Sequence, residues 1–187
     1  GIMLQVAEGL GHAHAKGVLH RNLCPANIHL LHDGTVKITG FGFASLFGSQ
    51  SNLRRSQPAP NLYQSPKQLA GKDALAASDV FSLGLSFYEF LTGVHPFHNE
   101  DASKVLEDIQ SREHFATVEQ FPDLPLNLWP ILERCLTKNT EDRYPGIRDF
   151  GAACQLVLEE LAEDSEWMRV EIQTALPKLR KAARRSS

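Results

Sequence analysis

Long apolar runs are missing from this chain. No stretch approaches the roughly 20 residues that span a bilayer, and no basic segment followed by a short apolar run opens it. Both absences point to a soluble, cytoplasmic protein. Cysteine is scarce, with Cys24, Cys135 and Cys154 the three present in 187 residues. Three are too few for a disulfide framework, and the odd number fits free thiols in a reducing compartment. A large charge excess is missing too: the formal net charge of −3 gives no general attraction to nucleic acid or to an anionic membrane. No internal repeat is visible.

What is present is enough for one globular domain with a sizeable core, since 42% of the residues are hydrophobic and 22% are charged. Gly1-Ile2-Met3-Leu4 already lies in an apolar-periodic segment, with no Ser, Thr, Asp or Asn before it to cap a helix. That start is expected of a piece of something longer.

Between Ile2 and Lys16, the residues Ile2, Val6, Gly9, Leu10 and Ala13 recur at three- and four-residue steps, the stripe of an amphipathic helix that stops at Gly17. His12 and His14 are two apart, so they face different sides of that helix and read as plain surface or core histidines. His20 to Asn27, with Pro25 and two asparagines, is aperiodic and reads as a loop. The runs Ile28–Leu31 and Val36–Ile38 flank Asp33-Gly34, a hairpin signal that needs a positive φ. The serine-rich stretch Phe43–Pro66 reads as a long surface loop.

Ala77 to Leu91 is apolar on nearly every side, which predicts a helix buried all round with Ser78 or Asp79 at its start and Gly93 as its stop. Shorter helices are predicted over Ala102–Ile109 and Leu128–Leu136, separated by the break from Pro122 to Pro125. A last packed helix is predicted over Ile147–Leu161. From the last turn of that helix onward the chain turns acidic (Glu159 to Glu166) and then basic (Lys178 to Arg185), the order that suits a solvated helix dipole.

Five motifs in a fixed order carry a resemblance. HRNLCPAN, KITGFG, YQSPK, SDVFSLG with FLTGVHPF, and CLTKNTEDR together resemble the C-terminal lobe of a eukaryotic-type Ser/Thr protein kinase, of the sort also found in bacteria, over about residues 1–160. The resemblance implies that His20 and Phe41 are a packed structural pair. It also implies that Asp79 accepts backbone N–H bonds from the loop at His20, and that Arg143 is a late structural arginine. Lys67 stands where the family pairs a glutamate with that arginine, so Arg143 is expected to find a backbone carbonyl or Glu141 instead.

The reacting positions depart from the family pattern. Asn22 stands at the aspartate base, and an amide is no base at neutral pH. Gly40 stands at the metal-binding aspartate and offers no side-chain oxygen. Cys24 replaces a phosphate-binding lysine, and Pro60 a bridging threonine. His29 makes the expected apolar floor beneath an adenine polar, and Asn27 remains as a weak cofactor contact and candidate Mg²⁺ ligand. Gly9-Leu10-Gly11 lies in a helix, so it is a decoy for a phosphate loop. Arg21 is open to two readings, a partner for a phosphoserine in the 43–66 loop or a solvated arginine. Cys24, His29 and His32 have zinc-like spacing, but on a strand 29 and 32 face opposite ways and no fourth ligand is evident.

The expected fold is therefore mainly α, a protein-kinase-like C-lobe with a small β-hairpin over residues 1–161 and a charged helical tail over 162–187, the N-lobe absent. The expected protein is not an enzyme but a pseudokinase, a catalytically impaired module acting as a protein-binding or regulatory scaffold. The alternative is a fragment of a Ser/Thr kinase with residual ATP-dependent phosphotransfer when an N-lobe is supplied. A third reading, a truncated product that does not function alone, would leave apolar surface uncovered. No cofactor is expected, with weak ATP and Mg²⁺ binding only alongside an N-lobe. The expected partner is a protein or that missing lobe, not nucleic acid.

Overall fold

A computed structural model of the chain describes residues 1–42, 61–111, 120–122 and 124–162. In chain order its elements are α1 (Ile2–Ala15), β1 (Ile28–Leu30), β2 (Val36–Ile38), α2 (Pro66–Leu69), α3 (Ala76–Thr92), α4 (Ala102–Ser111), α5 (Trp129–Leu136) and α6 (Ile147–Ala162). Single 3-10 turns lie at Pro25–Asn27, Leu126–Leu128 and Thr140–Asp142. The described part is mostly helical with one two-stranded antiparallel sheet. The greater part of the serine-rich stretch, Pro60 included, and residues 163–187 of the charged tail lie outside the described residues. Among the described residues, no helix is long and apolar enough to cross a membrane.

Helix α3 is the axis. Every residue from Ala77 to Tyr88 is buried, so no polar face is left for water and the helix packs on several sides. Its buried serines are satisfied locally: the Ser82 hydroxyl donates to the Ser78 carbonyl (3.1 Å) and the Ser86 hydroxyl to the Ser82 carbonyl (2.9 Å). The predicted start is corrected. Leu75 occupies the cap position, and Ser78, in the first turn, reaches back to accept from the Leu75 N–H at 3.1 Å. Asp79 is buried and committed to the loop at His20. Gly93 ends the helix, its N–H closing on the Glu89 carbonyl.

α3 packs against α5 and α6, while α1 packs against α6 and β2. The fully buried Val6 and Leu10 of α1 realise its predicted stripe. The hairpin pairs Ile28 with Ile38, His29 with Lys37 and Leu30 with Val36. Its turn uses Gly34 at φ +82° and the Asp33 carboxylate, which accepts from the Thr35 N–H at 2.9 Å. Gln5 of α1 fixes the hairpin to the helical layer, donating to the Gly34 carbonyl and accepting from the Val36 N–H, both at 3.0 Å.

Arg143 is 1% exposed and finds backbone carbonyls, as one branch of the expectation had it. Its guanidinium donates to Thr137 (2.6 Å), Lys138 (2.7 Å) and Ala77 (3.3 Å), joining the turn after α5 to the first turn of α3. Burial pulls its pKa down to about 10, which leaves it charged at neutral pH. The Phe81 ring lies 4.7 Å from the guanidinium carbon.

α3 and α5 approach so closely at Gly84 that a Cβ there would sit 2.6 Å from the Cys135 Cβ. Gly84→Ala is therefore expected to destabilise the protein by about 1–3 kcal/mol through overpacking, read as a lowered urea midpoint. An unchanged midpoint would show that the two helices separate without cost.

Candidate functional site

The loop from His20 to Asn27 leaves α1 and enters β1, and its position is set from α3. The Asp79 carboxylate accepts from the backbone N–H of His20 at 2.7 Å and of Arg21 at 2.8 Å. These bonds hold Arg21 at φ +67°, the left-handed region that costs a non-glycine residue roughly 1 kcal/mol. A third partner, His14, brings Nε2 to 2.8 Å from the same carboxylate. His14 is thus a partly buried structural histidine, within the reading of a plain surface or core residue, with a partner that reading did not name. Its partner lies 65 residues away, so no local spacing could have shown it.

His20 is fully buried, and its ring lies 4.5 Å from that of Phe41, centroid to centroid. Nε2 donates to the Thr39 carbonyl at 2.9 Å, while Nδ1 accepts from the Asn22 N–H at 3.3 Å. Those roles require the neutral imidazole. Burial favours the same form and lowers the pKa from its ordinary value.

Asn22 and Asn27 meet across the loop: the Asn27 carboxamide donates to the Asn22 carbonyl at 2.9 Å. The Asn22 side chain faces the other way, its Oδ1 accepting from the Asn61 carboxamide at 2.6 Å. Cys24 is partly buried, and burial pushes its thiol pKa up, away from reactivity. Gly40, at φ +83°, passes so close to Asn27 that a Cβ would lie 3.0 Å from its Cγ and Nδ2. His29 is exposed, with Nε2 2.9 Å from the Thr39 hydroxyl.

The structure makes a second wall of the segment that carries the YQSPK motif, and it adds Asn61 and Gln68, which the sequence reading did not single out. Ser65 and Gln68 form a capping box at the start of α2, and Gln68 Nε2 donates to the Arg21 carbonyl at 2.9 Å. The S-x-x-Q spacing was the available signal. Asn61 accepts from the Tyr63 N–H at 2.9 Å, the Tyr63 hydroxyl donates to the Glu89 carboxylate, and His95 Nε2 donates to the Leu62 carbonyl at 3.1 Å. Burial raises the Tyr63 pKa, and the neighbouring Glu89 charge adds to the shift. The site thus has two walls, the loop at His20–Asn27 and the segment Asn61–Gln68, tied at Arg21 and Asn22.

A divalent metal would find little here. Asn27 Nδ2 is committed to the Asn22 carbonyl, so its carboxamide offers one neutral oxygen, and Gly40 offers none. Mg²⁺ requires near-octahedral oxygen ligation that includes carboxylate or phosphate. Among the described residues, no group of three or more His, Cys, Asp or Glu side chains could hold a metal ion, and this covers Cys24, His29 and His32. These residues do not by themselves make a metal site.

This arrangement is a family architecture, and comparison identifies it. The family model for the protein kinase domain matches residues 1–161. The chain belongs to that family. Among its curated relatives, the tyrosine-protein kinase MasK of Myxococcus xanthus is 34% identical over 85% of this chain and 26% of its own length. The serine/threonine-protein kinase PkaA of Streptomyces coelicolor is 34% identical over 83% of this chain and 28% of its own. PknA of Mycobacterium tuberculosis, named a serine/threonine-protein kinase, is 36% identical over 82% and 35%. The chain therefore spans about a quarter to a third of the curated relatives it matches. The expectation that this kinase-family chain is not an enzyme is corrected here: its relatives are named as protein kinases, which points to an enzyme.

Two predictions follow from the geometry. Gly40→Asp is expected to lower stability by about 1–2 kcal/mol, because its left-handed backbone disfavours a Cβ that would also crowd Asn27; equal urea midpoints would show that this turn relaxes freely. Burial depresses the His95 pKa from 6.5 to about 4, so the folded state favours its neutral form. That stability is present above about pH 6.5 and is lost as the pH falls toward 4. Urea midpoints for His95→Gln should fall less over this window than those of the parent, and parallel profiles would refute the assignment.

Proposed function

We propose that this chain is the large-lobe portion of a Ser/Thr-type protein kinase with attenuated phosphoryl transfer, whose loop framework presents a protein substrate or partner. The observation that carries the reading is the Asn22–Asn61 bond of 2.6 Å. At the position resembling the family's base, a neutral amide engages the second wall of the site. Asn22 can accept a hydrogen bond from a substrate hydroxyl and so orient it, but it cannot take the proton.

Losing a positioned base lowers the rate by on the order of 10²–10⁴, about 3–5 kcal/mol of barrier. The frame that orients the loop stands apart from that loss, because Asp79, His20 and Gln68 act on backbone groups. Slow transfer and protein binding are therefore compatible in one lobe. Whether the protein carries ATP and Mg²⁺ depends on groups besides these, since Asn27 contributes a single neutral oxygen; weak binding alongside an N-lobe belongs to the same proposal.

The test is transfer from labelled ATP to a Ser/Thr peptide by the full-length protein, with Mg²⁺ or Mn²⁺. Slow turnover is expected, lost in Asn27→Ala and raised on the order of 10²-fold in Asn22→Asp, whose carboxylate retains the acceptor for Asn61. No turnover in the parent and in Asn22→Asp, with both folded, would overturn phosphotransfer.

A further inference from the structure

We infer that His95 is a positioning residue, holding the segment Asn61–Tyr63 where that segment in turn places the Asn22 side chain. The inference deepens the proposed function, because it assigns a control point for the substrate-facing wall of the same site.

His95 lies just beyond the end of α3 and is half-buried. Its two ring nitrogens work in opposite directions. Nε2 donates to the Leu62 carbonyl at 3.1 Å, and Nδ1 accepts from the Phe97 N–H at 3.2 Å. Both bonds exist together only in the neutral imidazole carrying its proton on Nε2. Phe97 is fully buried, so the far end of this strut is anchored in the core. The Tyr63 ring meets the imidazole edge-on at 5.3 Å.

The segment is held at three points. Asn61 bonds Asn22 in the loop, Tyr63 bonds Glu89 on α3, and Leu62 is held through its backbone by His95. The first two grips are side chain to side chain. The third acts on the main chain, and it alone of the three reaches the turn after α3. The Tyr63 N–H also donates to Asn61 Oδ1, so a shift of Leu62 moves the carboxamide that faces Asn22. His95 therefore acts on Asn22 through two residues without touching it.

Amide hydrogen exchange on the full-length protein tests this with variants that divide the two bonds. His95→Gln keeps a donor long enough to reach the Leu62 carbonyl. His95→Asn keeps the short acceptor for the Phe97 N–H and loses the reach to Leu62. Val105→Ala, at a buried site on α4, serves as a control for general destabilisation. In His95→Asn, exchange at the Tyr63 and Ser65 amides is expected to rise about tenfold, the worth of one hydrogen bond, and in His95→Gln to stay within about twofold of the parent. Equal behaviour of the two variants, or an equal rise in Val105→Ala, would overturn the inference.

Peptide KM and kcat on the same variants separate this inference from the functional reading. A raised KM in His95→Asn and a near-parental KM in His95→Gln support the substrate-facing role. An unchanged KM with raised exchange would confine His95 to bracing its own turn and overturn that role. Absent turnover in the parent would count against phosphotransfer, whereas the exchange result still decides whether the strut exists.

Discussion

The Asp79 carboxylate is the point on which the site depends. Its two oxygens take the backbone N–H groups of His20 and Arg21 and the imidazole of His14, all within 2.8 Å, while its side chain is 1% exposed. Burying a carboxylate is costly, and only several charge-assisted bonds offset that cost. Its place in the first turn of α3 adds the favourable field of the helix N-terminus. The left-handed Arg21 follows from it, since the two N–H groups can converge on one carboxylate only if the chain reverses there. The same end of α3 is braced by Arg143 through the Ala77 carbonyl. Loop position is therefore inherited from the most buried helix among the described residues.

From that anchor the contacts run outward in a connected order. His20 fixes Thr39, which precedes the glycine turn at Gly40. Gln68 fixes the Arg21 carbonyl, and Asn61 fixes the Asn22 side chain. The frame is made chiefly of bonds to backbone groups, which depend on chain path more than on the chemistry of the reacting side chains. A family architecture can thus persist around Asn22, Cys24 and Gly40, and it joins this chain to relatives named as kinases.

Much of the fold was legible because local patterns decide local structure. The stripe of α1, the all-round apolar character of α3 and the Asp33-Gly34 turn each depend on neighbours a few residues apart. The errors have a common form. Ser78 and Asp79 both looked like caps, since both residue types accept from helix N–H groups, but Asp79 is taken by donors 58 and 59 residues away. The partner of His14 was hidden for the same reason, since it lies 65 residues away. For Arg143, a buried guanidinium must be satisfied, which left a backbone carbonyl or Glu141 as its expected acceptor; the three carbonyls that serve came from two separate segments.

The sequence alone determined the helical character, the hairpin and the identity of the groups at the loop, including the amide at position 22 that no fold can convert into a base. The ordered motifs also determined the family. Only the tertiary structure decided the contacts of those groups: Asp79 with three loop and helix donors, Asn22 with Asn61, and His95 with Leu62. The division is physical. Periodicity and turn chemistry act over a few residues and leave a pattern in the chain, whereas a buried polar group takes whatever donor or acceptor the completed packing brings within about 3 Å.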